Sequence, residues 1–185
     1  MFLDLNCDLC PLCRGRTRVV APSGDYSSPV VLVGEAPGER EDLSGAPFVG
    51  RAGKMLDRLL EEEGLPRGSV MITNVVKCRP PRNRRPKEDE VQACRPYLED
   101  DLKGKMLIVC LGKTACEALL GDKVTLKEVA NQTFTIYLGR ERIDLLPTCL
   151  EAAGGEAPEG ISGRSFLPVL RGEKTAPRDK VFATH

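Results

Sequence analysis

The sequence predicts an α/β fold with a mainly parallel central sheet and helices on both faces. Two observations predict it. Short apolar runs alternate with segments of helical period, and the 185 residues are enough to bury a core between such layers. Hydrophobic residues make up 41% and charged residues 29% of the chain, which excludes a disordered or collagen-like protein.

In the first half of the chain, predicted strands and helices alternate. Residues 29–33 form an apolar run that stops at Gly34, which predicts a buried strand. Residues 34–50 are rich in Gly, Pro and charge and predict a loop. Residues 52–63 carry apolar side chains at helical spacing, and residues 70–74 form the next apolar strand.

The alternation continues in the second half. Residues 78–87 are rich in Pro and Arg and predict a loop, and residues 88–102 predict a helix with one apolar face. Residues 106–111 predict a strand, and residues 112–120 predict a short helix. Residues 133–146 contain two β-rich runs around a Gly-Arg pair, which predicts a hairpin.

Beyond Pro147 the character of the sequence changes, because Gly and Pro recur without a hydrophobic period. We therefore expect one domain over residues 1–140 and an atypical, loop-rich tail over residues 141–185.

Composition narrows the functional classes. No apolar run approaches the ~20 residues of a membrane span, and the N-terminus lacks the pattern of a signal peptide. The formal net charge is zero, so nucleic-acid binding requires a local basic patch. We expect a cytoplasmic monomer, in whose reducing surroundings clustered cysteines bind metal rather than form disulfides.

Four of the eight cysteines predict a metal centre. Cys7 and Cys10 form a tight Cys-x2-Cys pair, and Cys78 and Cys94 follow far downstream. Four thiolates can hold a zinc ion or a [4Fe–4S] cluster. Structural zinc sites usually use two tight pairs, so the single pair favours the cluster. Cys13 is a rival ligand, and scattered cysteines without a ligand role are the alternative.

A loop of small residues, Gly34-Glu35-Ala36-Pro37-Gly38, directly follows the first strand. Ligands of open α/β sheets bind at the carboxyl ends of strands, and small residues let a ligand approach the backbone closely. Glu35 can place a water molecule or contact a ligand there. A plain turn with an exposed Glu is the alternative.

Two further side chains indicate recognition of a pyrimidine base. Asn74 ends the second strand, and its amide both donates and accepts, as reading a Watson–Crick edge requires. Phe48 follows the first loop, and its ring can stack on a base, an interaction worth ~1–3 kcal/mol. A turn-forming Asn and a core Phe are the alternatives.

A run of basic side chains without an intervening acid follows Asn74. It consists of Lys77, Arg79, Arg82, Arg84, Arg85 and Lys87. Such a run can neutralise the phosphates of DNA, and a solvated loop is the alternative.

Together these segments resemble the family 4 uracil-DNA glycosylases, which carry an iron–sulfur cluster. The resemblance covers about residues 7–120 and is carried by CDLCPLCRGRT, VLVGEAPGEREDLSGAPFVGRAGKMLDRLLEE, ITNVVKCRPPRNRRP and IVCLGKTACEALL. It implies a three-layer sandwich of the uracil-DNA glycosylase type. It also implies an enzyme that hydrolyses the N-glycosidic bond of uracil in DNA, after the base has flipped out of the duplex.

The resemblance implies roles for individual residues. Glu35 places the attacking water, Phe48 stacks on uracil, and Asn74 selects uracil over cytosine by the polarity of its hydrogen bonds. The implied uracil-contacting residues are Gly34, Glu35, Ala36, Phe48 and Asn74. The implied ligands of a structural [4Fe–4S] cluster are Cys7, Cys10, Cys78 and Cys94.

One family motif is missing from its expected place. Members carry a His-Pro-Ser segment after a strand that ends in Pro-Thr, and its His donates to the developing uracil oxyanion. Here Pro147 and Thr148 are followed by Cys149, whose thiol is a weak donor, and the one histidine is His185. We therefore expect reduced activity, with a catalytically crippled Fe–S DNA-binding module as the alternative function.

Residues from about 143 onward resemble a segment of the C-terminal part of sulfatase catalytic domains, without the nucleophile or metal ligands of a sulfatase. We expect either a hybrid chain, through fusion, frame error or artificial construction, or a glycosylase truncated before its His-Pro loop.

Overall fold

The computed structural model describes residues 3–62, 64–121, 123–125, 129, 132–148 and 181–182. Seven strands of this part form one sheet, in the spatial order β1-β3-β2-β4-β6-β5-β7. The strands are β1 (Ser23–Gly24), β2 (Val30–Gly34), β3 (Met71–Asn74), β4 (Leu107–Leu111), β5 (Phe134–Leu138), β6 (Glu141–Thr148) and β7 (Val181–Phe182).

The α-helices with described bounds are α1 (Glu39–Ser44), α2 (Arg51–Glu62), α3 (Glu88–Leu102) and α4 (Lys113–Leu120). Short 3-10 turns lie at Pro11–Arg14, Arg67–Ser69 and Pro81–Asn83. Among the residues that the structure describes, no helix is long and apolar enough to cross a membrane.

The centre of the sheet is parallel, as the sequence predicted. Strands β3, β2, β4 and β6 are parallel neighbours, while β1 and β5 run antiparallel to β3 and β6. The carboxyl ends of the four central strands therefore meet at one edge of the sheet, where ligands of open α/β sheets bind.

Apolar side chains of alternate strand residues fill two cores, one on each face of the sheet. Val31 and Val33 of β2 face the core that contains residues of α3 and α4. Leu32 faces the opposite core, which contains Leu56 and Leu60 of α2. Helices thus cover both faces, and the predicted three-layer α/β arrangement is confirmed.

The structure corrects the predicted loop over residues 34–50, because α1 forms within it. This helix escapes a periodicity search since its buried residues are Glu41 and Asp42 rather than apolar side chains. The short strand β1 was also not predicted.

The predicted domain boundary at residue 140 is wrong. It falls in the turn between β5 and β6, which pair as the predicted hairpin. Strand β6 also pairs with β4 over five residues in the middle of the sheet, so the first domain extends at least to Thr148. Apart from Val181–Phe182, the rest of the predicted tail lies outside the described residues.

Candidate active site

Three residues that the sequence assigns to base recognition converge at the carboxyl ends of β2 and β3. Gly34 and Asn74 are paired across the two parallel strands. A methyl group on Gly34 would lie 2.4 Å from Cζ of Phe48 and 2.6 Å from Oδ1 of Asn74. Only glycine leaves room for the ring and the amide at this point.

A cleft with about 1020 Å³ of space, part of it open to solvent, lies beside these residues. Ala36, Phe48, Arg51, Asn74 and Asn83 are among its lining residues. Asn74 is only 3% exposed, and its side-chain amide makes no hydrogen bond to any residue that the structure describes. This amide is therefore available to a ligand in the cleft.

The backbone of Phe48 is held in an unusual conformation, with φ at +54°, a region that non-glycine residues rarely adopt. On one side it packs against Gly53 of α2, where a methyl group would lie 1.7 Å from the Phe48 carbonyl oxygen. The ring also packs against the apolar core around α2 while lining the cleft. Phe48 therefore packs in the core with part of its ring and lines the cleft with the rest.

Two buried carboxylates of α1 accept hydrogen bonds from backbone amides of neighbouring segments. Glu41 accepts hydrogen bonds from the backbone amides of Val49 at 2.9 Å and Gly50 at 2.7 Å, which fixes the segment after Phe48. Asp42 accepts from the amide of Thr17 at 2.9 and 3.0 Å, which fixes the N-terminal segment. Neither acid was predicted to have a role.

The side chain of Glu35 is directed toward α4. The hydroxyl of Thr114, a buried residue in the first turn of α4, donates a hydrogen bond to its carboxylate. Glu35 itself is half-buried and follows Gly34 directly, but it is not among the residues that line the cleft beside Asn74. Its carboxylate thus lies on the α4 side of the strand ends.

The four predicted ligand cysteines line one cavity. Cys7, Cys10, Cys78 and Cys94 line a small cavity beside α3, and Cys13 is not among the lining residues. Within the described residues, no three His, Cys, Asp or Glu side chains are placed to hold a single metal ion. A lone zinc ion binds thiolates at about 2.3 Å, which draws its sulfur ligands close together.

Two of these four thiols have a nitrogen donor beside the sulfur. Nη1 of Arg16 lies 3.3 Å from Sγ of Cys78, and the backbone N–H of Lys77 donates to Sγ of Cys94 at 3.3 Å. Burial raises the pKa of Cys94 to about 11 and also raises the pKa values of Cys10 and Cys78. Burial therefore favours the neutral thiols, while the N–H donors at Cys78 and Cys94 oppose it by stabilising the thiolate forms.

The structure corrects the predicted role of Lys77 as part of the basic DNA-binding run. Its side chain is 1% exposed, and Nζ donates to Oγ1 of Thr73 at 2.7 Å, the backbone oxygen of Asn74 at 2.7 Å and Oδ2 of Asp101 at 2.5 Å. An ammonium group that is buried and donates to three acceptors within the fold cannot reach a phosphate of DNA. Lys77 therefore belongs to the interior and not to the basic surface.

Acids partner several of the remaining basic residues. Arg84 forms two hydrogen bonds with the buried carboxylate of Glu90, at 2.8 and 2.6 Å, and Arg85 pairs with Glu117. Arg79 donates to Oδ1 of Asn83 at 2.7 Å and lies 3.8 Å from Glu39.

Arg82 and Arg85 are both exposed in this loop, which we call the basic loop (residues 79–87), and Arg82 has no ion pair with any residue that the structure describes. Its backbone φ is +56°, and Asn83, which lines the cleft, follows with φ +54°. The loop thus connects its basic surface directly with the cleft. The other predicted features, Cys149 and His185, lie outside the described residues.

Comparisons with known proteins agree with this geometry. The family model of the uracil DNA glycosylase superfamily matches residues 21–153. The chain is 49% identical over 118 residues to a type-4 uracil-DNA glycosylase of Pyrobaculum aerophilum, covering 62% of this chain and 60% of that protein. It is 43% identical over 146 residues to the type-4 enzyme of Thermotoga maritima, covering 77% of this chain and 74% of that protein.

A short stretch has a second similarity. Over 39 residues the chain is 46% identical to an ulvan-active sulfatase of Formosa agariphila. This match covers 21% of this chain but only 8% of the sulfatase. Such a small share carries no sulfatase activity over to the chain.

Proposed function

Because the chain belongs to the uracil-DNA glycosylase superfamily, we propose that it hydrolyses the N-glycosidic bond of deoxyuridine in DNA and releases free uracil. The observation that carries the proposal is the convergence of Gly34, Phe48 and Asn74 at the carboxyl ends of β2 and β3. Glycine, an aromatic ring and an amide without a hydrogen bond to any described residue provide room, a stacking surface and a hydrogen-bonding edge for one flat base.

Asn74 reads the base. Its amide N–H donates to the uracil O4, and its carbonyl oxygen accepts from N3–H. Cytosine has a donor at position 4 and an acceptor at N3, the reverse of uracil, so neither group of the Asn74 amide finds a partner. Leaving a buried amide without hydrogen bonds costs more free energy than losing a contact at an exposed site. The depth of Asn74, at 3% exposure, supports this role.

Phe48 and Ala36 form the walls of the pocket, and uracil enters after it has left the base stack, at a cost of a few kcal/mol. The base stacks on the Phe48 ring, whose position is set by Gly53 and by the hydrogen bonds of Glu41. The oxygen of a water molecule bonds to the sugar C1′ as the bond to uracil breaks, and the bonding electron pair leaves with the base. The proton that the water loses ends on the uracil anion, which gives free uracil and a C1′ hydroxyl.

Glu35 orients the attacking water in this proposal, and the hydroxyl of Thr114 fixes its carboxylate. Stabilising the departing uracil anion is usually the largest catalytic contribution, and the amide of Asn74 supplies one donor for it. Cys149 stands where relatives of the resembled family have a histidine, and a thiol is a weaker donor. We therefore propose that release is slow.

Cys7, Cys10, Cys78 and Cys94 are proposed to hold a [4Fe–4S] cluster. Four thiols around a common cavity, with N–H donors at two of the sulfurs, fit such a group. When bound, the cluster supplies a cross-link between the N-terminal segment, the segment that follows β3 and helix α3. The reducing cytoplasm is the compartment in which free thiols remain available for this purpose.

Phosphate contacts are proposed for the basic loop, with Arg82 as the leading residue and Arg79, Arg84 and Arg85 beside it. Arg84 pairs with Glu90 and Arg85 pairs with Glu117, so the charges of these two arginines are partly neutralised. Uracil-containing DNA is therefore the proposed partner, bound by a single copy of the chain.

The proposal is tested by incubating the purified protein with a single-stranded oligonucleotide that carries one uracil and measuring free uracil. Oligonucleotides with cytosine or thymine at the same position are the controls. We expect slow release from the uracil strand alone. No release, together with DNA binding that weakens steeply with salt, contradicts glycosylase activity and supports the catalytically crippled DNA-binding module.

Replacing Gly53 with Ala should impair binding of the base through the position of Phe48. The new methyl group must displace the Phe48 carbonyl, which lies 1.7 Å from its place. Such overpacking costs about 1–3 kcal/mol of stability, and the moved ring should lower kcat/KM about tenfold. Gly68→Ala is the control, because a methyl group there meets nothing within 4 Å. Equal kinetics of the two variants contradict the stacking role of Phe48.

A further inference from the structure

We propose that Lys77 is a positioning residue for base recognition: it fixes the backbone of Asn74 and thereby the direction of the Asn74 amide in the cleft. The inference rests on the proposed function, because it matters only if Asn74 reads a pyrimidine. It replaces the surface role that the sequence suggested for this lysine.

The backbone of Asn74 needs such a partner. Successive residues of a strand direct their backbone groups to opposite neighbours. The amide of Val75 donates to Gly34 of β2 at 2.8 Å, so the groups of Asn74 point to the other side, toward β1. Strand β1 pairs only with Met71 and Ile72, and the carbonyl of Asn74 therefore extends beyond it.

The ammonium group of Lys77 occupies the place of the missing strand. Its Nζ lies 2.7 Å from the Asn74 carbonyl oxygen, and its other two donors are bound by Thr73 at 2.7 Å and Asp101 at 2.5 Å. An ammonium group has three donors, so all are used. A hydrogen bond from a charged donor is roughly twice as strong as one between neutral groups.

The backbone of Lys77 is anchored as well. Its N–H donates to Sγ of Cys94 at 3.3 Å, and its carbonyl accepts from the amide of Val20 at 2.8 Å. One residue thus connects the cysteine cavity, the N-terminal segment and α3 with the end of β3. Because its side chain is 1% exposed, water cannot take over its bond to Asn74.

Lys105 provides a matched control. It is also buried, at 6% exposure, and its Nζ also donates to backbone carbonyls, those of Tyr26 at 2.5 Å and Ser28 at 2.8 Å. It precedes β4 and so lies at the end of the sheet opposite to the cleft. Removing either ammonium group costs stability, but only one of them touches Asn74.

The test compares two variants. The first, called the Lys77 variant, combines Lys77→Met with Asp101→Asn, so that the Asp101 carboxylate is not left without its partner. The second is Lys105→Met. Thermal unfolding of the holoprotein first defines a temperature at which both variants and the wild type are folded. At that temperature, kcat/KM for uracil release should fall about 100-fold in the Lys77 variant, as expected for a displaced binding group. Lys105→Met should stay close to the wild type. If the Lys77 variant does not fold, Lys77→Gln, whose amide offers two uncharged N–H donors in place of three charged ones, is tested instead.

A double-mutant cycle with Asn74→Ala separates positioning from general destabilisation. If Lys77 acts through Asn74, the Lys77 variant should have almost no further effect in the Asn74→Ala background. Two outcomes overturn this inference alone, provided that the wild type releases uracil. One is full additivity of the effects of the Lys77 variant and Asn74→Ala on kcat/KM. The other is a kcat/KM of the Lys77 variant equal to that of Lys105→Met. A wild-type protein that releases no uracil contradicts the proposed function, and this inference with it.

Discussion

Replacing Asn74 with Asp should lower kcat/KM for uracil release by about a thousandfold, the order expected when a buried hydrogen-bonding site loses its complementarity. A carboxylate can still accept from the uracil N3–H, but it has no N–H to donate to O4. At 3% exposure, water cannot compensate for the lost donor. The new negative charge also repels the anion that forms as uracil departs.

The same substitution should shift the choice of base. The amino group of cytosine donates to a carboxylate, so the uracil-to-cytosine ratio of kcat/KM should fall. Release from matched single-stranded oligonucleotides that carry uracil or cytosine at one position measures this ratio. An unchanged ratio contradicts the assignment of Asn74 as the base-reading residue.

Asn83→Asp is the matched control for this prediction. Asn83 lines the same cleft, and its Oδ1 already accepts from Nε of Arg79 at 2.7 Å, a bond that a carboxylate preserves. The change adds the same charge near the DNA, so both variants should bind DNA somewhat more weakly. Only Asn74→Asp should alter which base is released.

The sequence predicts the framework of this molecule well because its strands and helices follow simple periods. Helix α3 begins and ends at the predicted residues 88 and 102. The strand ends at Gly34 and Asn74 were also predicted, and the general rule for parallel sheets then places both at one edge. The pairing of these two residues in register is consistent with that reasoning.

Features that depend on tertiary contacts could not be predicted in this way. Lys77 stands among arginines in the sequence, and only the approach of Asp101 from α3 makes its burial possible. Glu41 and Asp42 are acids that face inward because backbone amides of distant segments meet them. A search for apolar periodicity interprets all three as surface residues.

The basic loop is a further case. Its net charge suggests a surface for phosphates, but Glu90 is 2% exposed and holds Arg84 by two hydrogen bonds. That pair fixes the loop against the start of α3. Charge counted along the sequence therefore overestimates the charge available to DNA, and Arg82 becomes the best candidate for a phosphate contact.

Replacing Cys78 with Ala should remove the iron and destabilise the fold. The four cavity cysteines come from the N-terminal segment, the segment that follows β3 and helix α3, so a bound cluster cross-links three parts of the chain. Loss of a structural metal site costs several kcal/mol, which corresponds to a melting temperature lower by about 10 °C or more. Iron and labile sulfide analysis, visible absorbance and thermal unfolding measure these effects.

Cys110→Ala is the control, because this thiol of β4 is also buried but does not line the cavity. It should retain full iron and lose only about 1 kcal/mol, the cost of a small change in a packed core. Cys13→Ala should also retain its iron, since Cys13 does not line the cavity. If Cys78→Ala keeps full iron while Cys13→Ala loses it, the ligand set is wrong. Cys13 then takes the place of Cys78 among the ligands, and Cys78 is held to the N-terminal segment by packing and by its contact with Arg16. Cys94 remains a ligand, so the link from the metal through Lys77 to Asn74 is unchanged.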